Sequence, residues 1–157
     1  MASLLVINYL LVWGSIGSVL FTILVVIFLL TGVLYAAVEN PDPKTKRKGM
    51  IGSLIILLGI IFIQSISTIS SLGSYRGNAD FMAIFVFNYV LYLILFLYDT
   101  LIIDILILVK WHPNFLRLPD EEVFTSAKYH LKTLIPGSIL GLPLTAISVL
   151  LSVFIFK

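Results

Sequence analysis

Four apolar runs separated by polar breaks set the pattern of this chain. They cover residues 12–38, 50–72, 81–109 and 133–156. Each exceeds the ~20 residues that carry a helix across a hydrocarbon core of ~30 Å. Runs this long and this uniform lack the polar face of a helix in a water-soluble core. The pattern predicts an all-α integral membrane four-helix bundle, with residues 1–157 forming a single transmembrane domain. The first 38 residues carry no charge. Without a basic start or a small-residue cleavage site they read as an uncleaved span rather than a secretory signal. Tyr9 and Trp13 suit the interface, and Gly14, Gly17 and Ser18 offer a small-residue surface for another helix.

The breaks refine this. Residues 39–49 read ENPDPKTKRKG, a proline-containing loop that ends in Lys44, Lys46, Arg47 and Lys48. Residues 73–80 form a glycine-rich turn, which makes the second and third spans antiparallel neighbours. Between the third and fourth spans, Pro113 ends a helix, and Pro119 with Asp120, Glu121 and Glu122 starts another, acids placed against the positive end of its dipole. Val123, Ala127, Leu131 and Leu134 then continue one apolar stripe. The expected element is a short cytoplasmic amphipathic helix before the last span.

Polar residues inside the spans are the candidate chemistry. The third span carries Asp99 and Asp104. Counted back from Lys110 at 1.5 Å per residue, Asp104 lies ~9 Å and Asp99 ~16 Å inside the boundary. An ionised Asp at such depth costs about 2.5–3.5 kcal/mol even on the mildest scale, so it marks a functional candidate. Asn88, Tyr92 and Asp99 share one helical stripe, while five residues at the α-helical period turn Asp104 about 140° from Asp99. The two acids are therefore expected on different faces, with Thr100 on the side of Asp104. In the second span Gln64, Ser67 or Thr68, and Ser71 share a face. Depth counting pairs Gln64 with Tyr92, as a polar vestibule or, preferably, as mutual glue between helices. In the fourth span Pro143 frees the carbonyl of Ile139, Gly137 and Gly141 allow close approach, and Ser138 is expected at the depth of Asp104. The third and fourth spans are expected to pack together around the carboxylates. The intramembrane polar site is thus Asp99, Asp104, Tyr92, Asn88, Gln64, Thr100 and Ser138.

Composition adds exclusions. Of 157 residues 60% are hydrophobic and 11% charged, whereas soluble domains carry roughly a quarter charged. The absence of cysteine rules out disulfides, thiol catalysis and an Fe–S cluster held by this chain. His112, His130, Glu121 and Glu122 follow no metal-binding spacing, and the two histidines are read as interfacial and helix-surface residues. No metal, cofactor, nucleic acid or catalytic group is expected, and the enzyme class is the weakest. The net charge of +2 becomes informative only by side. Four Lys or Arg fall in each of 39–49 and 110–132, against one in 73–80. Both basic loops are therefore placed in the cytoplasm and both termini outside, in the plasma membrane, although Lys157 opposes this slightly. Lys44, Lys46, Arg47 and Lys48 serve as a topology signal or, beyond that, a surface for anionic lipid headgroups or an acidic partner.

No span contains Lys, Arg or His, so an ionised Asp99 is expected to lack an opposite charge in its own chain. It is protonated, binds a cation, or pairs with another polypeptide. The leading functional expectation is a small accessory or assembly subunit of a membrane complex, joined to itself or to a partner membrane protein through these carboxylates. The alternative is a proton- or cation-coupled transport component working as a homo-oligomer.

Overall fold

A computed structural model describes residues 2–38, 40–75, 81–113, 115 and 118–155. Arg76, Arg117 and Lys157, which enter the charge argument, lie outside the described residues, as does the side chain of Ser71. The architecture is an all-α four-helix membrane bundle. Its four long apolar helices span Ile7–Thr31, Pro43–Ser70, Phe81–Trp111 and Leu134–Phe154.

Helix α1 (Ala2–Thr31) stops seven residues before the apolar run does. Gly32 takes a positive φ of 74°. Its amide donates to Leu29 and the next amide, Val33, donates to Phe28 at 2.9 Å. This pair of bonds closes the helix end in a left-handed glycine cap. Residues 33–38 are apolar, so hydropathy alone extended the span to 38; they instead form a 3-10 turn at Leu34–Ala37.

Helix α2 (Pro43–Tyr75) starts earlier than the run predicted. Asp42 caps it, its Oδ1 accepting from the amides of Lys44 and Thr45 at 3.0 and 3.1 Å. Pro43 occupies the first helical position, where its missing N–H costs nothing. Lys44, Lys46, Arg47 and Lys48 therefore ride on the opening turns of a helix rather than in a loop. Lys48 Nζ donates to the Thr31 carbonyl at 3.1 Å, placing a cation at the negative end of α1.

Helix α3 (Phe81–Tyr98) continues without a break into a π-helical segment, Asp99–Trp111. His112 ends it in the left-handed region, its amide donating to Ile107, five residues back. Two short helices follow in place of the single amphipathic helix expected: α4 (Glu122–Thr125) and α5 (Ala127–Lys132). The extended Ser126 separates them and caps α5 by accepting from the Tyr129 amide. Together they form a hook under the π-helical segment. The hook buries Phe124 and His130, while Leu131, placed on the apolar stripe, is exposed. An apolar stripe in this setting faces lipid, and the aromatic and polar residues turn to the protein. Helix α6 (Leu134–Ile155) completes the bundle.

Helices α2, α3 and α6 enclose the core, and α1 lies against α3. Small residues make the close approaches. A Cβ at Gly17 would sit 2.6 Å from Leu95 of α3, and one at Gly137 or Gly141 would overlap the rings of Phe96 or Tyr92. The Gly137 and Gly141 spacing thus seats aromatic rings of α3 against the α6 backbone. Outward-facing Leu30, Ile135, Ile139 and Phe154 leave an apolar perimeter, as a bilayer-embedded surface requires.

Candidate functional site

Two polar regions occupy different levels of the bundle. The first is a dry, uncharged network between α2, α3 and α6. Gln64 Nε2 donates to the Asn88 carbonyl at 2.8 Å and to Thr145 Oγ1 at 3.0 Å. Gln64 Oε1 accepts from Ser148 Oγ at 3.0 Å. Ser67 donates to Asn88 Oδ1, Asn88 Nδ2 to the Ile84 carbonyl, and Ser152 to the carbonyl of Ser65. Gln64, Ser67, Thr68, Asn88, Thr145, Ser148 and Ser152 are all buried. A vestibule needs solvent-facing groups, and these face one another. The expected Gln64–Tyr92 bond is not formed. Tyr92 lies one turn beyond Asn88, and its hydroxyl donates instead to the Gly137 carbonyl at 2.7 Å. Tyr89 does the same to the Ser138 carbonyl at 3.0 Å. Phe85, Tyr89, Tyr92 and Phe96 stack along that side of α3 with centroids 5.9–6.4 Å apart. Among the described residues no buried side-chain polar atom lacks a hydrogen-bond partner.

The second region is charged. Asp104 Oδ2 lies 2.9 Å from His130 Nδ1, an ion pair between the π-helical segment and the hook. This corrects two expectations. His130 is buried rather than on a helix surface, and one of the two acids, Asp104, has a titratable partner within its own chain, because the hook folds up to its level. Ser138, expected beside Asp104, lies instead at the level of Tyr89, and its hydroxyl turns back to the Leu134 carbonyl. Depth counting failed because Lys132 belongs to the inward-folded hook and does not mark the boundary.

The π-helix also reverses the face argument. With hydrogen bonds reaching five residues back, residues five apart lie approximately above one another. Leu101, Leu106 and Trp111 are 47, 49 and 65% exposed, and Ile103 and Leu108 only 2 and 4%. Asp99 and Asp104 follow the same spacing and so share one side. Thr100 is buried next to Asp99. No hydrogen bond or ion pair joins Asp99 to another described residue.

The protonation of this group follows from hydrogen-bond inventory. His130 Nε2 is 2.7 Å from the Val123 carbonyl. A carbonyl only accepts, so Nε2 carries a hydrogen. Nδ1 then meets Asp104 across one proton, either as imidazolium with carboxylate or as imidazole with carboxylic acid. Burial draws the His130 pKa down, but the hydrogen bond and charge of Asp104, the Val123 carbonyl and the charge of Asp99 outweigh it and raise the pKa. His112 Nδ1 adds a second fastening, 3.1 Å from the Leu108 carbonyl and 3.3 Å from that of Phe124.

Compared with known proteins, the chain matches no family model, and no curated protein or solved structure shows significant similarity. Among the described residues no group of three His, Cys, Asp or Glu side chains is arranged to hold a metal ion. At the same end of the bundle Lys44, Lys46 and Arg47 are exposed on α2.

Proposed function

We propose that this protein is a small polytopic subunit of a membrane complex that joins a partner polypeptide, or further copies of itself, through Asp99. One contrast supports the reading. Gln64, Asn88, Thr145 and Ser148 satisfy one another inside the bundle, and Asp104 has His130, whereas Asp99 has neither hydrogen bond nor ion pair among the described residues. A half-buried carboxylate at membrane depth is costly unless a cation or donor meets it. A Lys, Arg or His from a neighbouring helix supplies both. In this reading the basic ends of the bundle face the cytoplasm of a plasma-membrane protein with both termini outside. Exposed Lys44, Lys46 and Arg47 then lie against anionic headgroups.

The test is the composition of the complex extracted gently from its native membrane, wild type beside Asp99→Asn. A second polypeptide that co-purifies with the wild type and is lost from the variant is the expected result. A homogeneous assembly that survives in both sinks the reading. The alternative, a proton- or cation-coupled transport component, draws support from one observation: Asp104 and His130 hold a proton between them with Asp99 on the same side. Proton flux into vesicles that vanishes in Asp99→Asn, with no change in assembly, would favour it.

A further inference from the structure

The π-helical segment and the hook are held by the same contact. A π-helix usually lasts a single turn, because its geometry is less favourable than that of the α-helix. This one runs for 13 residues, Asp99–Trp111. Something must hold the register, and Asp104, bonded to His130, sits near its middle. Were the segment α-helical, five residues would subtend about 140° beyond a full turn, carrying Asp104 away from Asp99 and from His130. On the other side of the contact His130 closes the hook on itself through Val123, with Phe124 buried beneath.

We propose that Asp104 and His130 form a one-proton latch that keeps residues 99–111 in the π register and the hook docked, and that loss of the proton lets the segment wind to α-helix. The closed state is the one described: Nε2–H on Val123 and one proton between Nδ1 and the carboxylate. When that proton leaves for water, no other covalent bond changes. Nε2 keeps its hydrogen on Val123, and the bare Nδ1 lone pair then faces the carboxylate lone pairs across 2.9 Å. An attraction becomes a repulsion, and the α-helical register relieves it.

The charges acting on His130 are Asp104 and Asp99, both from the π-helical segment. The hook's own Glu122, Lys128 and Lys132 are exposed and Glu121 is half-buried. His112 faces the Leu108 and Phe124 carbonyls. Helix α6 carries no titratable side chain. Because the His130 pKa is raised, the latch is closed below the ordinary imidazole value and opens as pH rises through the higher one. The latch acts within one chain and does not rest on the assembly reading.

The absence of cysteine makes a direct test clean. Leu101→Cys and Leu106→Cys, both at exposed positions, are introduced into the full chain, spin-labelled and placed in lipid nanodiscs diluted with unlabelled protein. In the π register the two labels lie on one side and broaden each other's spectra; in the α register they diverge. The expected result is strong dipolar broadening at pH ~6, below the ordinary imidazole titration, that is lost reversibly at a pH above the raised one. In His130→Phe the labels are expected to stay unbroadened at both. A wild-type spectrum that does not change with pH overturns the proposal, whether or not the variant folds. So does a pH response that persists in His130→Phe.

Discussion

Gln64 and Asp104 both bring polar atoms into an apolar bundle, and the two sites satisfy them by opposite means. Around Gln64 the groups are neutral, each donor has an acceptor, and nothing depends on a proton arriving or leaving. Around Asp104 the bonding is complete only while a proton is shared with His130. The neutral network can be sealed between three helices because amides and hydroxyls tolerate a dry core once bonded. The charged pair sits where the hook meets the middle of the π-helical segment. One region is held by neutral bonds, and the other by a pair whose bonding depends on a proton.

That contrast can be broken most strongly at the charged pair. His130→Ala leaves Asp104 without its imidazole, and removing one partner of a buried pair costs about 3–5 kcal/mol. Measured by reversible unfolding in bilayers, the loss is expected at mildly acid pH and not at alkaline pH. The sign follows from the raised pKa: the stabilisation is full below the ordinary imidazole value and disappears as pH rises through the raised one. Equal losses at both ends of the pH range would erase the distinction between the regions.

Next in size, Gln64→Leu should cost about 2–3 kcal/mol, because Asn88, Thr145 and Ser148 lose their common partner in a dry core. Here the cost should be the same at every pH. A double-mutant cycle with Thr145→Val should show positive coupling, and strict additivity would mean that the bond contributes nothing. Tyr92→Phe removes the bond to the Gly137 carbonyl but keeps the ring against Gly141, so about 1 kcal/mol is expected, again without pH dependence. The smallest effect belongs to α1. Thr22 Oγ1 donates to the Ser18 carbonyl and lies 2.9 Å from the Tyr98 hydroxyl, which donates to it. Thr22→Val should loosen α1 by about 0.6 kcal/mol, near the average for interhelical bonds in a membrane, read as faster exchange of α1 amides.

The two regions were also unequally legible in the sequence. The four long helices follow from composition, since nothing but a membrane accommodates such runs. Their ends do not, because Gly32 lies inside an apolar stretch and Asp42 with Pro43 inside what looks like a loop. In the neutral region residue type picks out Gln64 and Asn88 but not the α6 members of the network, Thr145, Ser148 and Ser152, short hydroxyls that are common in apolar spans. Depth counting pairs Gln64 with Tyr92, one turn from its actual partner Asn88. The charged region misled in both of its parts. The α-helical period puts Asp99 and Asp104 on different faces, whereas the local period is that of a π-helix. Residues 101–109 are uniformly apolar apart from Asp104, so the sequence carries no signal of the changed period. The role of His130 is hidden because its partner lies on another element, and the sequence places it on a short amphipathic segment with no indication that this segment folds inward.

The Gln64 network has a consequence for how the chain is made. Its partners all come later in the sequence: Asn88 by 24 residues, Thr145 by 81 and Ser148 by 84. At about 5–20 residues per second of synthesis, Thr145 follows Gln64 by roughly 4–16 s. During that interval α2 stands in the bilayer with an amide short of its bonds, open to capture by any passing helix that offers a donor or acceptor. The Thr68 hydroxyl, which donates to the Gln64 carbonyl at 2.8 Å, leaves that side-chain amide untouched. A chain truncated before Leu134 is therefore expected to be retained and degraded while the full chain matures, a difference that pulse-chase labelling would register. Helix α6 supplies the hydroxyls of Thr145 and Ser148 that end this exposure.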